Sequence, residues 1–256
     1  MTTSIVMIHG MWGGSWCWEN YRTFFEQRGV RCHTPELRHH DVSPLDPPTA
    51  DLGRVSLRDY ADDLETYLRN MNETPVIMGH SMGGLLAQML GARGWGKGLV
   101  LLTPASPAGI NALTYSVVRS FWSILTRWGF WRTPHRIAYN AAVYAMMNCL
   151  SLAQRRRAYA RLVFESGRAA GEIGFWPLDM RSAARVNADR VTCPVLVVGA
   201  AEDRITPVAV TRKIARKYAH VSTYREVAGH AHWVIGEDGW EDIAESVHQW
   251  LVEKIW

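Results

Sequence analysis

The chain has no closely spaced cysteine pair. Its four cysteines, Cys17, Cys32, Cys149 and Cys193, stand far apart along 256 residues. That spacing excludes a zinc ribbon or a thioredoxin-type redox motif, and isolated thiols suit a reducing cytoplasm. No apolar run approaches the ~18 residues of a membrane-spanning helix, so a soluble protein is expected. The opening Met-Thr-Thr-Ser has no basic stretch leading into an apolar core, so no signal peptide is expected. Internal repeats and low-complexity tracts are missing too. Residues 91–98 approach a phosphate-binding loop, Gly91 to Gly96-Lys97-Gly98, but lack the closing Ser or Thr and precede an apolar run instead of following one. Nucleotide chemistry is thereby excluded at that loop.

What is present is a core. With 48% hydrophobic residues, the chain suits one large α/β domain with an insertion, or two small domains. Short apolar runs predict strands at residues 4–8, 30–34, 76–78, 98–103, 194–199 and, more weakly, 223–227. Helical patterns separate them. A helix over 16–27 has Ser15 as its N-cap and Gly29 as its stop, and another opens at Ser56 with Asp59 three residues on and Leu57, Tyr60, Ala61, Leu64, Tyr67 and Leu68 at helical spacing. Near-continuous apolar strands alternating with amphipathic helices indicate a mostly parallel sheet of about six strands, buried on both faces. The Pro-, Asp- and His-rich stretch 36–55 is expected to be a surface loop.

Residues 105–185 interrupt this alternation. Phe121, Ile124, Leu125 and Trp128, and then Tyr139, Ala142, Val143 and Met146, fall at helical spacing. The expected organisation is a core of residues 1–104 and 186–256 with a helical cap of residues 105–185 over the carboxyl ends of the strands, where open α/β sheets bind ligands. Taken singly, such aromatics are more often packing than ligand contacts. As a set they suggest an apolar roof.

The chemistry centres on Gly79-His80-Ser81-Met82-Gly83. This Gly-x-Ser-x-Gly follows an apolar strand and leads into a helix beginning at Leu85, the context of a nucleophile elbow, in which small glycines let strand and helix approach and the serine hydroxyl stands exposed above the sheet. A Gly-rich loop with an incidental serine is the plain alternative. Two acids, Glu202 and Asp203, follow a late strand, and two histidines, His230 and His232, follow the last one. His-x-His spacing suggests a metal pair, but no third ligand cluster accompanies it and no metal is expected.

Taken together, His9-Gly10 after the first strand, the Gly79-x-Ser81-x-Gly83 turn, and a late acid followed by a late histidine resemble the α/β-hydrolase superfamily over nearly the whole chain. The stretch 9–16, His-Gly-Met-Trp-Gly-Gly-Ser-Trp, with Gly229-His230-Ala231-His232, looks most like its small esterases related to plant methylesterases and hydroxynitrile lyases. By that resemblance the first strand here is the third of the superfamily's full pattern. The resemblance implies a Ser-Asp-His triad. The family's Asp-x-x-x-Pro spacing selects Asp203, with Pro207, over Glu202, and its histidine three residues after a glycine selects His232 over His230. Asp203 merely capping a following helix is the alternative. Backbone N–H groups of Met82 and Met11 are the implied oxyanion donors, His9 shapes the loop, and Trp12, His80, Trp122 and Trp128 are expected to line the pocket.

Ser81 would then attack an acyl carbon with His232 as base, and no cofactor is required. The expected activity is hydrolysis of a small-molecule carboxylic ester or lactone. A dehalogenase or epoxide hydrolase would carry Asp at position 81. A plant-type hydroxynitrile lyase would use a cap lysine, and residues 105–185 contain none. Carbon–carbon bond hydrolases, cofactor-free peroxidases and slow-turnover ligand sensors on this fold stay open. Residues 105–185 hold eleven Arg and three acids, a net +8, which leaves 17 basic and 21 acidic residues, or −4, elsewhere. That charge is either a solvated helical face or a means of steering an anionic, aromatic substrate. Nucleic acid is not expected, because no recognition motif accompanies the charge.

Overall fold

The computed structural model describes residues 3–256. In chain order its elements are β1 (Ser4–Ile8), α1 (Glu19–Glu26), β2 (Arg31–His33), α2 (Leu57–Arg69), β3 (Val76–His80), α3 (Met82–Ala92) and β4 (Gly98–Leu102). There follow α4 (Tyr115–Leu125), β5 (Pro134–His135), α5 (Tyr139–Ala145), α6 (Leu152–Ala160), β6 (Glu165–Ser166) and α7 (Gly167–Gly174). The chain closes with β7 (Val195–Ala200), α8 (Val208–Lys217), β8 (Ser222–Val227) and α9 (Trp240–Lys254). Six strands form one sheet in the order β2-β1-β3-β4-β7-β8, with every pairing parallel. The four inner strands are buried along their whole length, whereas β2 and β8 at the edges are partly exposed, as half-solvated edge strands should be.

Helix α3 explains why β3 sits at the centre. All of its residues are buried, and its composition is apolar all round, so it packs between the sheet and the layers outside it rather than at the surface. Helix α2 lies outside it and begins as the sequence requires, with the Ser56 N–H donating to the Asp59 carboxylate at 2.8 Å. The first helix starts later than its pattern suggests. Residues Ser15–Trp18 form a 3₁₀ turn, and the Ser15 N–H is bound by Glu36 Oε1 at 2.8 Å, so Ser15 caps nothing. Within the stretch 36–55 a further 3₁₀ turn, Ala50–Arg54, packs against the 105–185 segment.

That segment is helical, with a two-stranded antiparallel pair, β5 and β6, that short-range periodicity does not reveal. Two buried carboxylates tie it down. Glu172 on α7 accepts from Ser56 Oγ at 2.8 Å and from the Leu57 N–H at 2.8 Å, meeting the positive end of α2. Glu165 on β6 accepts from Tyr60 Oη at 2.7 Å and lies 3.1 Å from His40 Nε2, both side chains of that pair being fully buried. Burial opposes charge on both members, but their mutual attraction outweighs it, raising His40 above 6.5 and lowering Glu165 below 4.5.

Removing one partner of such a pair leaves an uncompensated buried group, so Glu165→Gln is expected to cost about 3 kcal/mol of stability. The pH dependence follows from the two directions. The raised histidine contributes fully below 6.5 and loses its contribution as pH rises through its folded value. The lowered carboxylate contributes fully above 4.5 and loses it as pH falls. Urea unfolding should therefore show the largest difference between wild type and variant at pH 4.5–6.5, and a smaller one in alkali. Equal differences at pH ~5.5 and pH ~9 would rule the charged pair out.

Candidate active site

Between β3 and α3 the chain turns at one residue, Ser81, with φ 55° and ψ −122°. A non-glycine residue there is strained, and the neighbourhood holds it in place. The Ser81 N–H donates to the Leu102 carbonyl at 3.1 Å, and its own carbonyl accepts from Gly84 at 2.9 Å and Ala105 at 2.8 Å. The flanking glycines are required by contact. A Cβ on Gly79 would lie 2.1 Å from the Gly83 carbonyl oxygen, and one on Gly83 would lie 2.1 Å from that of Ile8.

Asp203 follows the end of β7 and is buried. Its Oδ1 accepts from the Ile205 and Thr206 N–H groups, both at 2.8 Å, and its Oδ2 accepts from Thr206 Oγ1 at 2.7 Å. The same Oδ2 lies 2.7 Å from His232 Nδ1. Burial disfavours the carboxylate, yet the His232 ring and these hydrogen bonds prevail and hold the Asp203 carboxyl below its usual value. A carboxylate only accepts, so His232 carries its proton on Nδ1 and leaves Nε2 as an acceptor. Asp203 caps no helix: α8 begins at Val208, after Pro207.

His232 is fixed through its backbone as well. Its carbonyl accepts from His80 Nε2 at 2.8 Å and Thr103 Oγ1 at 3.1 Å. Burial, reinforced by the nearby His232 ring, pushes the His80 pKa down to about 3, so His80 stays neutral and serves as a donor. Buried Glu237 accepts from the Ala231 N–H at 2.8 Å and the Trp233 N–H at 3.1 Å, clamping the loop on both sides of His232. His230 points elsewhere, with Nδ1 3.3 Å from Glu237 Oε2 and its ring against Gly239. Glu202 is exposed.

Ser81 and His232 share a cavity of about 200 Å³ with Met11, Trp12, His80 and Met82. Trp12 is held from the far side: its indole N–H donates to His135 Nδ1 at 3.2 Å, and its carbonyl accepts from the Val163 N–H at 2.9 Å. The roof comes from Val117, Val118, Phe121, Ile124 and Leu125 of α4, and from Ile173, Phe175 and Trp176 at and after the end of α7.

Two expected pocket residues are not in it. Trp122 is 62% exposed and Trp128 94%, because α4 turns the Val117, Val118, Phe121 and Leu125 face inward and Trp122 outward, and Trp128 lies beyond the helix end. Phe175 and Trp176 were missed because they stand at the junction of α7 and a short 3₁₀ turn, Trp176–Leu178, where no helical period runs. An anionic substrate also loses its support. Among the described residues no Arg, Lys, Asp or Glu lines the cavity, and several of the segment's arginines are engaged outside it. Arg136 binds the Pro44 and Tyr159 carbonyls, Arg155 those of Met147 and Asn148, and Arg161 the Glu19 carboxylate. Among the described residues no three His, Cys, Asp or Glu side chains group as a metal site would require.

A strained serine between a central strand and a buried helix thus shares one cavity with a histidine held by a buried carboxylate, on a parallel sheet flanked on both sides. The chain belongs to the alpha/beta hydrolase family, whose model matches residues 5–246. It is 30% identical over 116 residues to a pyrethroid hydrolase of Sphingobium wenxiniae, a match over 44% of this chain and 40% of that one. It is 29% identical over 85 residues to the putative methylesterase 13 of Arabidopsis thaliana, over 32% of this chain and 18% of that one. The chain thus spans less than half the length of either relative in these matches. In structure it is similar to a methylesterase from Arabidopsis, with a TM-score of 0.74 at 12% identity over 98% of this chain and 99% of that one. The family match and the match in fold bear out the α/β-hydrolase resemblance, and two of these similar proteins are named as methylesterases, the group that residues 9–16 and 229–232 suggested.

Proposed function

We propose that the protein hydrolyses a neutral, largely apolar carboxylic ester or lactone through an acyl-enzyme on Ser81. The observation that carries this is the 2.7 Å contact of the buried Asp203 carboxylate with Nδ1 of His232, whose ring lines the same cavity as Ser81. His232 Nε2 takes the hydroxyl proton as Ser81 Oγ attacks the acyl carbon. The tetrahedral oxyanion is met by the Met82 and Met11 N–H groups, and collapse expels the alcohol, which leaves with the proton from His232. Water then attacks the acyl-enzyme, giving its proton to His232, and the acid is released as Ser81 recovers its own.

Asp203 keeps His232 in the required tautomer and stabilises the imidazolium. His80, Thr103 and Glu237 hold the histidine loop, and residues 105–185 act as the cap. The apolar roof and the absence of a charged wall favour neutral acyl or alcohol groups, since an unpaired carboxylate buried there would lose its hydration. The names of the curated relatives, a pyrethroid hydrolase and a methylesterase, agree with ester cleavage. A panel of aryl esters and lactones tests the proposal. Neutral apolar substrates should turn over, and a matched ester with a carboxylate on its acyl chain should show at least about a tenfold lower kcat/KM. Preference for the charged ester would contradict the assignment.

A further inference from the structure

The outer face of the 105–185 segment carries an unusual set of exposed side chains. Trp128 is 94% exposed, Leu178 79% and Met180 100%. Trp128 stacks edge-on against Trp131, with ring centroids 5.3 Å apart, and Trp131, Leu178 and Met180 line one groove of about 880 Å³. Arg54, Arg132 and Arg181 lie in that same groove. Its two acids are engaged by neighbours of the same chain: Glu172 binds Ser56, Leu57 and Arg168, and Asp179 accepts from the Arg181 and Ala183 N–H groups. Large apolar side chains ringed by unopposed guanidinium groups are what an interfacial lipid-binding face needs, and a soluble monomer rarely exposes such a patch without use.

We propose that this face docks onto an anionic lipid surface, with Trp128, Trp131, Leu178 and Met180 in the headgroup region and the arginines against lipid phosphates or carboxylates. Charge supports the orientation. The segment that bears most of the groove carries +8 and the rest of the chain −4, so a negative surface favours approach from the side of that segment. Among the described residues no helix is long and apolar enough to cross a membrane, so the mode is surface binding. Lipid is favoured over an acidic polymer by what lies behind the groove. Phe130 and Phe175, whose rings are 6.0 Å apart, line both the groove and the Ser81 cavity, so an apolar molecule dissolved in the lipid meets the cavity wall at the docked face.

Docking goes beyond the hydrolase reading and is tested without turnover. The full chain is co-sedimented with phosphatidylcholine vesicles and with phosphatidylcholine vesicles containing phosphatidylserine, at low and high salt. Binding is expected to the anionic vesicles, with partition falling as salt rises. A Trp128→Ser, Met180→Ser variant and an Arg132→Glu, Arg181→Glu variant should each bind about tenfold more weakly. Both should keep wild-type hydrolysis of a water-soluble aryl ester, since none of these four residues lines the cavity. Ser81→Ala should bind vesicles as wild type does, which separates failure of docking from failure of the proposed chemistry. No binding to anionic vesicles would overturn the proposal. So would binding indifferent to Trp128 and Met180, or equal binding to soluble polyglutamate, which would point to an acidic macromolecule instead.

Discussion

Replacing Ser81 with alanine is expected to lower kcat for a short-chain aryl ester about a million-fold, the scale seen when a triad serine is removed elsewhere. The size of the loss follows from what the residue does. The cavity offers no other hydroxyl on a strained turn beside His232, and histidine without a nucleophile can only activate water at a position not built for it. The fold should tolerate the change, because Ser81 is held by backbone contacts to Leu102, Gly84 and Ala105 and not by its side chain. Thermal unfolding near the wild-type temperature would therefore accompany lost turnover. A variant that retained more than about one per cent of wild-type kcat would place the nucleophile elsewhere.

Asp203→Asn is expected to cost about 10⁴-fold in kcat, as the equivalent change does in a serine protease. The four hydrogen bonds at this carboxylate show why an amide fails. Oδ1 accepts from the two backbone N–H groups of Ile205 and Thr206, and Oδ2 accepts from Thr206 Oγ1 and His232 Nδ1. An asparagine with its amide nitrogen toward Ile205 and Thr206 sets donor against donor in a buried site. Turned the other way, it donates to His232 Nδ1, which forces the ring proton onto Nε2 and removes the base that Ser81 needs. Either orientation loses the function while leaving the volume unchanged. Steady-state kinetics with a folding control distinguishes this from unfolding, and a loss below about tenfold would mean that Asp203 does not orient the base.

The parts of this site that were legible in the sequence are those fixed by short-range constraint. Gly79 and Gly83 lie two residues from Ser81 in a recognisable pattern; a Cβ on Gly79 would strike the Gly83 backbone within the turn itself, whereas Gly83 is required by the close approach of the Ile8 and His9 backbone at the end of β1. The four inner strands were visible because parallel strands buried on both faces must be apolar throughout, whereas the half-exposed edges β2 and β8 carry a weaker pattern. Capping at Ser56 and Asp59 is equally local. The supports of His232 were not visible, because Thr103, His80 and Glu237 act on it from three different elements and carry no spacing relative to one another.

Helix α4 shows the other limit. Periodicity gathers Val117, Phe121, Ile124 and Leu125 on one face, but Trp122, at the edge of that face one turn on from Val118, is just as apolar, and nothing local says where the buried stripe ends. The buried pair of His40 and Glu165 joins residues 125 positions apart. Only the folded chain brings them together, and no charge pattern announces them. Arginine abundance in residues 105–185 was plain, whereas its absence from the cavity wall depended on where each side chain found a carbonyl, a carboxylate or solvent.

The central claim is that Ser81 becomes covalently acylated with His232 as its base. Incubation with an aryl phosphonate ester, which transfers its phosphorus to an activated serine and releases the phenol, tests this directly by intact-protein mass and peptide mapping. The predicted result is one adduct per chain on the peptide containing Ser81, formed slowly in His232→Ala and not at all in Ser81→Ala. An adduct at another residue, or continued ester hydrolysis by protein fully modified at Ser81, would contradict it.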